Sequence, residues 1–318
     1  MEEKINNLVE QRAPWLAKKN LVSILIFNLL KKLLRFDETI YAGDYIQNMS
    51  GADAFNWLGD RYTNNCSVEG LENIPSNGSC LLVANHPMGA ADAIAMYSQL
   101  YKVRKDAFFF ANELFVYLLG SFHNVMAPVV WNKEKETHSA TRDTFERLNT
   151  FFNDNRPGII FPSGRLSKLT LFGLWDRSWE KTPIILAKRN NFPLIPVHIE
   201  GKNSWFFYFA SITSKQLRDV SQLNELFNKS EKPISIVIGK PINVSQLSNN
   251  NDIATQQLRY KVETLRKKGL FKINRFVHLV SIGIDIIYIR SIEGRHMLRE
   301  PILIYLSSIY QYDITLRL

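Results

Sequence analysis

The sequence predicts an α/β domain with a mixed central sheet flanked by helices, on three observations. Short apolar runs alternate with helical stretches from about Cys66 to Gly269, the pattern of a sheet covered on both faces. The chain is 46% hydrophobic and 22% charged, an ordinary globular composition that excludes disorder, collagen-like repeats and coiled coil. Its 318 residues fit one large domain with appended ends, at roughly 100–200 residues per domain. Boundaries are expected near 60 and 270, giving an N-terminal helical segment over 1–60, the α/β domain over 61–270 and a C-terminal extension over 271–318.

Near the N-terminus, Leu21 to Phe36 interleaves Leu, Ile and Phe with Lys31, Lys32 and Arg35 and reads as an amphipathic helix. The candidate strands are Ser79 to Ala84, Phe108 to Ala111, Met126 to Val130, Gly158 to Phe161, Leu194 to Ile199 and Ile234 to Ile238. Helical patterns fill Ala91 to Tyr101, His138 to Asn153 and Thr182 to Arg189. Asn and Ser crowd Val244 to Asp252, a surface turn before a basic helix near Thr255 to Lys268. Phe276 to Ile289 is apolar but spans only fourteen residues and carries His278 and Asp285, too short for a membrane span of ~20 residues. Pro301 to Leu318 has no assignable pattern.

Charge narrows the partners. Thirty-nine Lys+Arg against thirty Asp+Glu leave +9, which draws a protein toward nucleic acid or an anionic membrane face. The first thirty-six residues hold seven basic and three acidic residues, so +4 of the excess is local. Its apolar stretch, broken by Ser23, Asn28 and Lys31, is too short to cross a bilayer and suits an interfacial helix with lysines toward lipid phosphates. Lys18 and Lys19 fit a signal peptide, whereas Lys31, Lys32 and Arg35 stand where a small-residue cleavage site would be. The other reading of this segment is a core-packing helix with a solvated basic face. Nucleic-acid binding is not expected, because the basic residues accompany Leu and Ile and form no stacking platform. Cys66 and Cys80 are the only cysteines, which excludes a disulfide scaffold and suits a reducing compartment.

The sequence lacks a Gly-x-Ser-x-Gly elbow, a His-Glu-x-x-His pair, a Walker loop and a dinucleotide glycine fingerprint. What remains is Asn85-His86-Pro87-Met88-Gly89-Ala90-Ala91-Asp92, directly after an apolar strand. A histidine with a nearby aspartate can make a general base and its orienter. Six residues apart they would point to different sides of one regular helix, rotated by about 240°. Pro87 favours an extended His86, and Gly89 permits a turn that swings the imidazole back over a helix starting near Ala90. The alternative is a loop histidine followed by a helix-capping aspartate. Phe161-Pro162-Ser163-Gly164-Arg165-Leu166-Ser167 and Ile195-Pro196-Val197-His198-Ile199-Glu200-Gly201-Lys202-Asn203-Ser204 follow two further strands. Each ends in glycine plus a cation, offering backbone donors and a charged group to an anionic or carbonyl-rich ligand. His198, between Val197 and Ile199, reads as a satisfied core or edge histidine. His123, His138, His278 and His296 have no carboxylate at diagnostic spacing, and no metal is expected. Trp131, Trp175, Trp179 and Trp205 are packing or interfacial residues.

In that order, and with Val68 to Pro75 and Phe110 to Leu114, these blocks resemble the glycerolipid (PlsC-like) acyltransferases over about Val68 to Ile242. The likeness is nearest to the hemolysin-like branch that includes lyso-ornithine and lyso-glycine lipid O-acyltransferases. The resemblance implies that His86 is the general base and Asp92 its partner. Asn85, Gly89, Ser163, Gly164 and Arg165 would line the substrate site, with Lys202, Asn203 and Ser204 beside them. It also implies an acyl thioester donor on acyl carrier protein or coenzyme A, no other cofactor, and a lysolipid acceptor. The enzyme would sit as a peripheral, monotopic protein at the cytoplasmic face of the bacterial inner membrane. Members acting on lysophosphatidic acid have four residues between His and Asp, where this chain has five, Pro87 to Ala91. They also carry Glu where Ser163 stands and Arg where Asn132 falls, with Lys133 a substitute, so the acceptor is expected to be a lyso-aminolipid or another lysolipid. The competing reading is a noncatalytic lipid-binding or membrane-perturbing protein.

Overall fold

The computed structural model describes residues 1–15, 21–112, 120–129, 138–170 and 173–266. The expectations for Asn132, Lys133, Trp131, His278, His296, Phe276 to Ile289 and the extension over 271–318 fall outside them, as does part of the Phe110 to Leu114 block. The described chain runs α1 (Glu2–Arg12), α2 (Leu21–Leu33), α3 (Phe36–Ile46), α4 (Gly51–Tyr62), β1 (Cys66–Glu69), β2 (Leu81–Ala84), α5 (Ala90–Tyr101), β3 (Phe108–Asn112), β4 (Met126–Val129) and α6 (His138–Asn153). It continues through β5 (Gly158–Ile160), β6 (Lys168–Thr170), β7 (Gly173–Trp175), α7 (Thr182–Asn190), β8 (Leu194–Glu200), α8 (Trp205–Thr213), α9 (Lys215–Phe227), β9 (Ile234–Ile238) and α10 (Asn251–Thr264).

Seven strands make one mixed sheet in the order β1-β9-β8-β2-β5-β3-β4. All neighbours are parallel except β8 and β9, which pair antiparallel with Val197 opposite Ile238. The expected fold class is therefore observed. β2 shows why both faces need cover. Leu82 and Ala84 enter a core completed by α3, α4 and α5, with Phe55, Ile94 and Tyr97, while Leu81 and Val83 enter a second core with Phe108 of β3 and with Phe151, Ile184 and Leu258 from the opposite helical layer. Successive strand residues point to opposite faces, so a strand with no polar alternation can only lie between two helical layers.

The described N-terminal residues form α1 to α4, and Leu21 to Phe36 is not one continuous helix. Arg35 adopts a left-handed conformation with φ of 52°, and Phe36 opens α3 with its side chain buried. Ile5, Val9, Leu30, Leu34, Phe36 and Val220 make a third cluster that packs α1 and α2 against α9. No helix of the described residues is long and apolar enough to cross a membrane.

The topology places the site. β2 lies between β8 and β5 and is parallel to both, so all three strands leave the sheet at one edge. Ligands of open α/β sheets gather outside the carboxyl ends of the strands. The three motif loops, 85–92, 161–167 and 200–204, are the segments that emerge there.

Candidate active site

The first loop is built by sequence constraints acting in order. β2 ends at Ala84, and the Asn85 amide donates to the Ile199 carbonyl at 2.8 Å while its oxygen accepts from the Ile199 N–H at 2.7 Å. These bonds extend the β2–β8 pairing by one side chain. Asn85 thereby ties two strand ends together, a different task from the substrate contact expected of it. Gly89 then takes φ of +83° as the N-cap of α5. A side chain there would be strained by that φ and would meet Leu166 at 3.2 Å. The turn brings Asp92, in the first turn of α5, back under the imidazole.

His86 Nδ1 and Asp92 Oδ2 are 2.9 Å apart, with the aspartate fully buried and the histidine slightly exposed. The same Oδ2 accepts from the Met88 N–H at 2.8 Å and the Gly89 N–H at 3.0 Å. An oxygen facing two backbone donors is an acceptor, so the ring proton belongs on Nδ1 and the lone pair on Nε2. Burial pushes the Asp92 carboxyl above its ordinary range, against the opposing pull of His86 and the two amides. Asp92 Oδ1 has no hydrogen-bond partner among the described residues. One face of the imidazole stacks on Phe161, with ring centroids 4.2 Å apart.

The second loop is bonded to the first. The Ser167 N–H donates to the His86 carbonyl at 2.8 Å. Asp176 joins both loops: its Oδ1 accepts from the His86 N–H at 3.1 Å and from the Ser167 hydroxyl at 2.6 Å, and its Oδ2 accepts from the buried Trp179 indole at 2.9 Å. Ser163 is buried with its hydroxyl on the Arg165 carbonyl at 2.8 Å, and the Gly164 N–H returns to Phe161. Arg165 is exposed, and the half-buried Arg177 donates from Nε to the Leu166 carbonyl at 3.4 Å. Burial, and after it the guanidiniums of Arg165 and Arg218, pull Arg177 below the usual range. Positive charge thus collects on this side of the site.

The third loop rests on buried ionic groups. Lys229, fully buried, donates to Glu225 at 2.8 Å, the Asn203 amide oxygen at 2.9 Å, Asn228 at 3.0 Å and the Lys202 carbonyl at 3.2 Å. Ser204 caps α8 and bonds Glu225 through its N–H and its hydroxyl. Burial pulls the Lys229 ammonium below its ordinary range. At Glu225 burial acts upward, but Lys229 and Ser204 outweigh it and hold the carboxyl low. Gly201 lies against Met88, whose sulfur a Cβ would meet at 2.4 Å, so the third loop backs the first.

The expected site residues consequently divide. His86 and Asp92 are brought together, and Arg165 and Lys202 present exposed side chains. Asn85, Gly89, Ser163, Asn203 and Ser204 are bonded within the loops, and their contribution is to hold them. Asp176, Glu225 and Lys229 were not expected. Asp176 carries only the weak signal of a carboxylate three residues before a tryptophan, and Lys229 and Glu225 carry none beyond an i,i+4 pair. His198 departs from the satisfied histidine expected: its Nδ1 is buried without a partner among the described residues, and burial pushes its pKa down to about 4. Among the described residues no group of three His, Cys, Asp or Glu side chains is placed to hold a metal.

Comparison with known proteins supplies the family. The lyso-glycine lipid O-acyltransferase of Phocaeicola vulgatus is 29% identical over 225 residues, covering 68% of this chain and 78% of that protein. The Bacteroides thetaiotaomicron protein of the same description is 26% identical over 245 residues, 75% of this chain and 87% of that one. The crystal structure of the 1-acyl-sn-glycerophosphate (LPA) acyltransferase PlsC from Thermotoga maritima aligns with a TM-score of 0.42 at 21% identity, over 82% of this chain and 96% of that one. A family model described as "Acyltransferase" matches residues 12–277, most of the chain and all three motif loops. This protein belongs to that acyltransferase family.

Proposed function

We propose that this acyltransferase esterifies the hydroxyl of a lysolipid with a fatty acyl chain from a thioester, using His86 as general base and Asp92 as its partner. One observation carries the reading. The imidazole donates from Nδ1 to a buried carboxylate oxygen fixed by two backbone amides, so the lone pair is left on Nε2 of a ring whose side chain keeps 16% exposure. The hydroxyl proton passes to Nε2 as the oxygen attacks the thioester carbonyl. The tetrahedral intermediate collapses, the C–S bond breaks, and the departing sulfur takes the proton back from the imidazolium. An ester and a free thiol result, with no covalent acyl-enzyme. Asp92 supports the transient positive charge on the ring.

The acceptor proposed is a lyso-aminolipid with a carboxylate head group. Two relatives are described as lyso-glycine lipid O-acyltransferases, and the guanidiniums of Arg165 and Arg177 stand beside the His86 loop, where a carboxylate would be matched by forked donors. The donor would be acyl carrier protein or coenzyme A thioester, and no other cofactor is invoked. The working location would be the cytoplasmic face of the bacterial inner membrane, held by α2, whose Leu25 and Leu29 are 61% and 73% exposed beside Lys31 and Lys32.

The test supplies purified protein with acyl thioester and either a lyso-glycine lipid or lysophosphatidic acid. Acylation of the aminolipid is expected, with loss of turnover in His86→Ala and an unchanged melting temperature. Turnover retained in that variant removes the proposed base. Bilayer leakage that ignores His86 and Asp92 would favour the membrane-perturbing reading.

A further inference from the structure

We infer that α8 is a second membrane-docking element, seated in an anionic lipid surface at the mouth of the active site. The inference rests on the acceptor being a lipid, as proposed above, but Trp205, Phe209 and Ile212, which carry it, lie outside the machinery of acyl transfer. Trp205, Phe209 and Ile212 are 78%, 53% and 84% exposed. At spacings i, i+4 and i+7 they form one face of the helix, while Phe207 and Ala210 on the other side are buried. Three large apolar side chains aligned toward solvent are far more than scattered surface hydrophobics, and such patches mark interaction sites.

The polar groups of α8 show what medium the face suits. Ser211 and Thr213, both exposed, turn their hydroxyls back to the Phe207 carbonyl at 2.8 Å and the Phe209 carbonyl at 3.1 Å. The Ser204 hydroxyl accepts from the Phe207 N–H at the N-terminus, and the Ser214 N–H closes the C-terminus on Ala210. With the Ser211 and Thr213 hydroxyls turned onto the helix's own carbonyls, the cost of bringing this face against an apolar medium falls. Lys202 and Lys215 stand exposed just beyond its two ends, placing ammonium groups where lipid phosphates would be and an indole at the depth it favours. Charge favours a lipid surface over an acidic-free apolar protein face, and position agrees. α8 begins two residues after Asn203, directly after Ser204 of the third site loop, and Phe206 packs on the same buried cluster that supports α2.

The experiment compares full-length wild type with the triple variant Trp205→Ser, Phe209→Ser, Ile212→Ser in co-sedimentation with phosphatidylcholine vesicles, with and without phosphatidylglycerol. Wild type should sediment preferentially with the anionic vesicles, and the triple variant's partition should fall at least tenfold. Its melting temperature should match wild type, and its turnover of a water-soluble short-chain acceptor should stay within twofold of wild type. Trp205→Phe should still sediment but lose the part of the tryptophan quenching by spin-labelled lipid that belongs to position 205. Sedimentation of the triple variant like wild type overturns the inference, as does a wild-type dimer that the three serines dissociate while vesicle binding is unaffected. His86→Ala keeps the two questions apart: it should lose acyl transfer yet bind vesicles as wild type does, so turnover retained in that variant while vesicle binding still depends on α8 sinks the catalytic reading alone.

Discussion

Replacing Asp92 with asparagine separates charge from geometry at the proposed base. In Ser-His-Asp enzymes the same change presents an amide to the imidazole, traps the wrong tautomer and costs about 10⁴ in kcat. Here the oxygen facing His86 also accepts from the Met88 and Gly89 N–H groups at 2.8 and 3.0 Å. An NH2 in that position would face two donors, so the asparagine oxygen takes it and the amide turns to the site of Oδ1. The Nδ1–H tautomer is therefore kept, and only the ion pair is lost. With charge centres ~4 Å apart and an effective dielectric of ~20, that pair amounts to about 4 kcal/mol, of which the amide dipole retains roughly half. The expected fall in kcat is roughly 30- to 1000-fold, measured as radiolabelled acyl transfer from thioester to lysolipid under saturating conditions. Because burial pushes the Asp92 carboxyl up, its ionised form opposes folding, and the variant should melt at the same temperature as wild type or higher. A loss below fivefold would refute the charge argument. A loss equal to that of His86→Ala would show that the two amides do not hold the tautomer.

Three further outcomes follow from the surrounding groups. Asp176→Asn puts one NH2 against a donor, whichever way it turns, among the His86 N–H, Ser167 hydroxyl and Trp179 indole; a stability loss of about 2–4 kcal/mol in urea denaturation and a tenfold or greater drop in kcat with little change in KM are expected. Lys229→Met leaves Glu225 buried and unpaired and should cost about 3–5 kcal/mol, whereas adding Glu225→Leu should restore most of it. The depressed His198 pKa of about 4, against an ordinary 6.5, means that the unfolded chain binds its proton first as pH falls. The resulting stability, present above pH 6.5, is lost between there and pH 4, up to about 3 kcal/mol; thermal melts should show a flatter profile over that window in His198→Leu.

The parts of the fold visible in the sequence are those where one physical signal dominates. β2, β3, β5, β8 and β9 are short apolar runs bounded by polar or glycine-containing turns, and each lies within a residue or two of its expected bounds. The helix α8 is not legible in the sequence because Trp205 to Thr213 is nearly all apolar and shows no period to read, and β1 and the β6–β7 hairpin are not because they are three or four residues long. α10 begins at Asn251, earlier than expected, since Asn250 accepts from the Asp252 and Ile253 N–H groups and caps a helix inside what resembles a turn. At the site, Pro87 and Gly89 betray the loop that joins His86 to Asp92, as local backbone constraints do. Asp176, ninety residues from His86, is joined to it only by tertiary packing, and nothing local records such a contact.

The distribution of unmet polar groups gives this site a physical character. Among the described residues four buried side-chain atoms lack a hydrogen-bond partner, and two of them, Asp92 Oδ1 and Asn203 Nδ2, lie in the loops that converge on His86. A folded chain normally satisfies such groups, and an unmet one costs about 1–3 kcal/mol. Around them the same loops are densely bonded: Asn85 to Ile199, Ser167 to His86, Asp176 to three donors, Lys229 to four acceptors. The surrounding network therefore holds in place a carboxylate that the interior alone would not keep charged. Relieving Asp92 should leave stability unchanged or higher while lowering turnover, whereas loosening Asp176 or Lys229 should lower both. That difference separates a residue retained for chemistry from one retained for position.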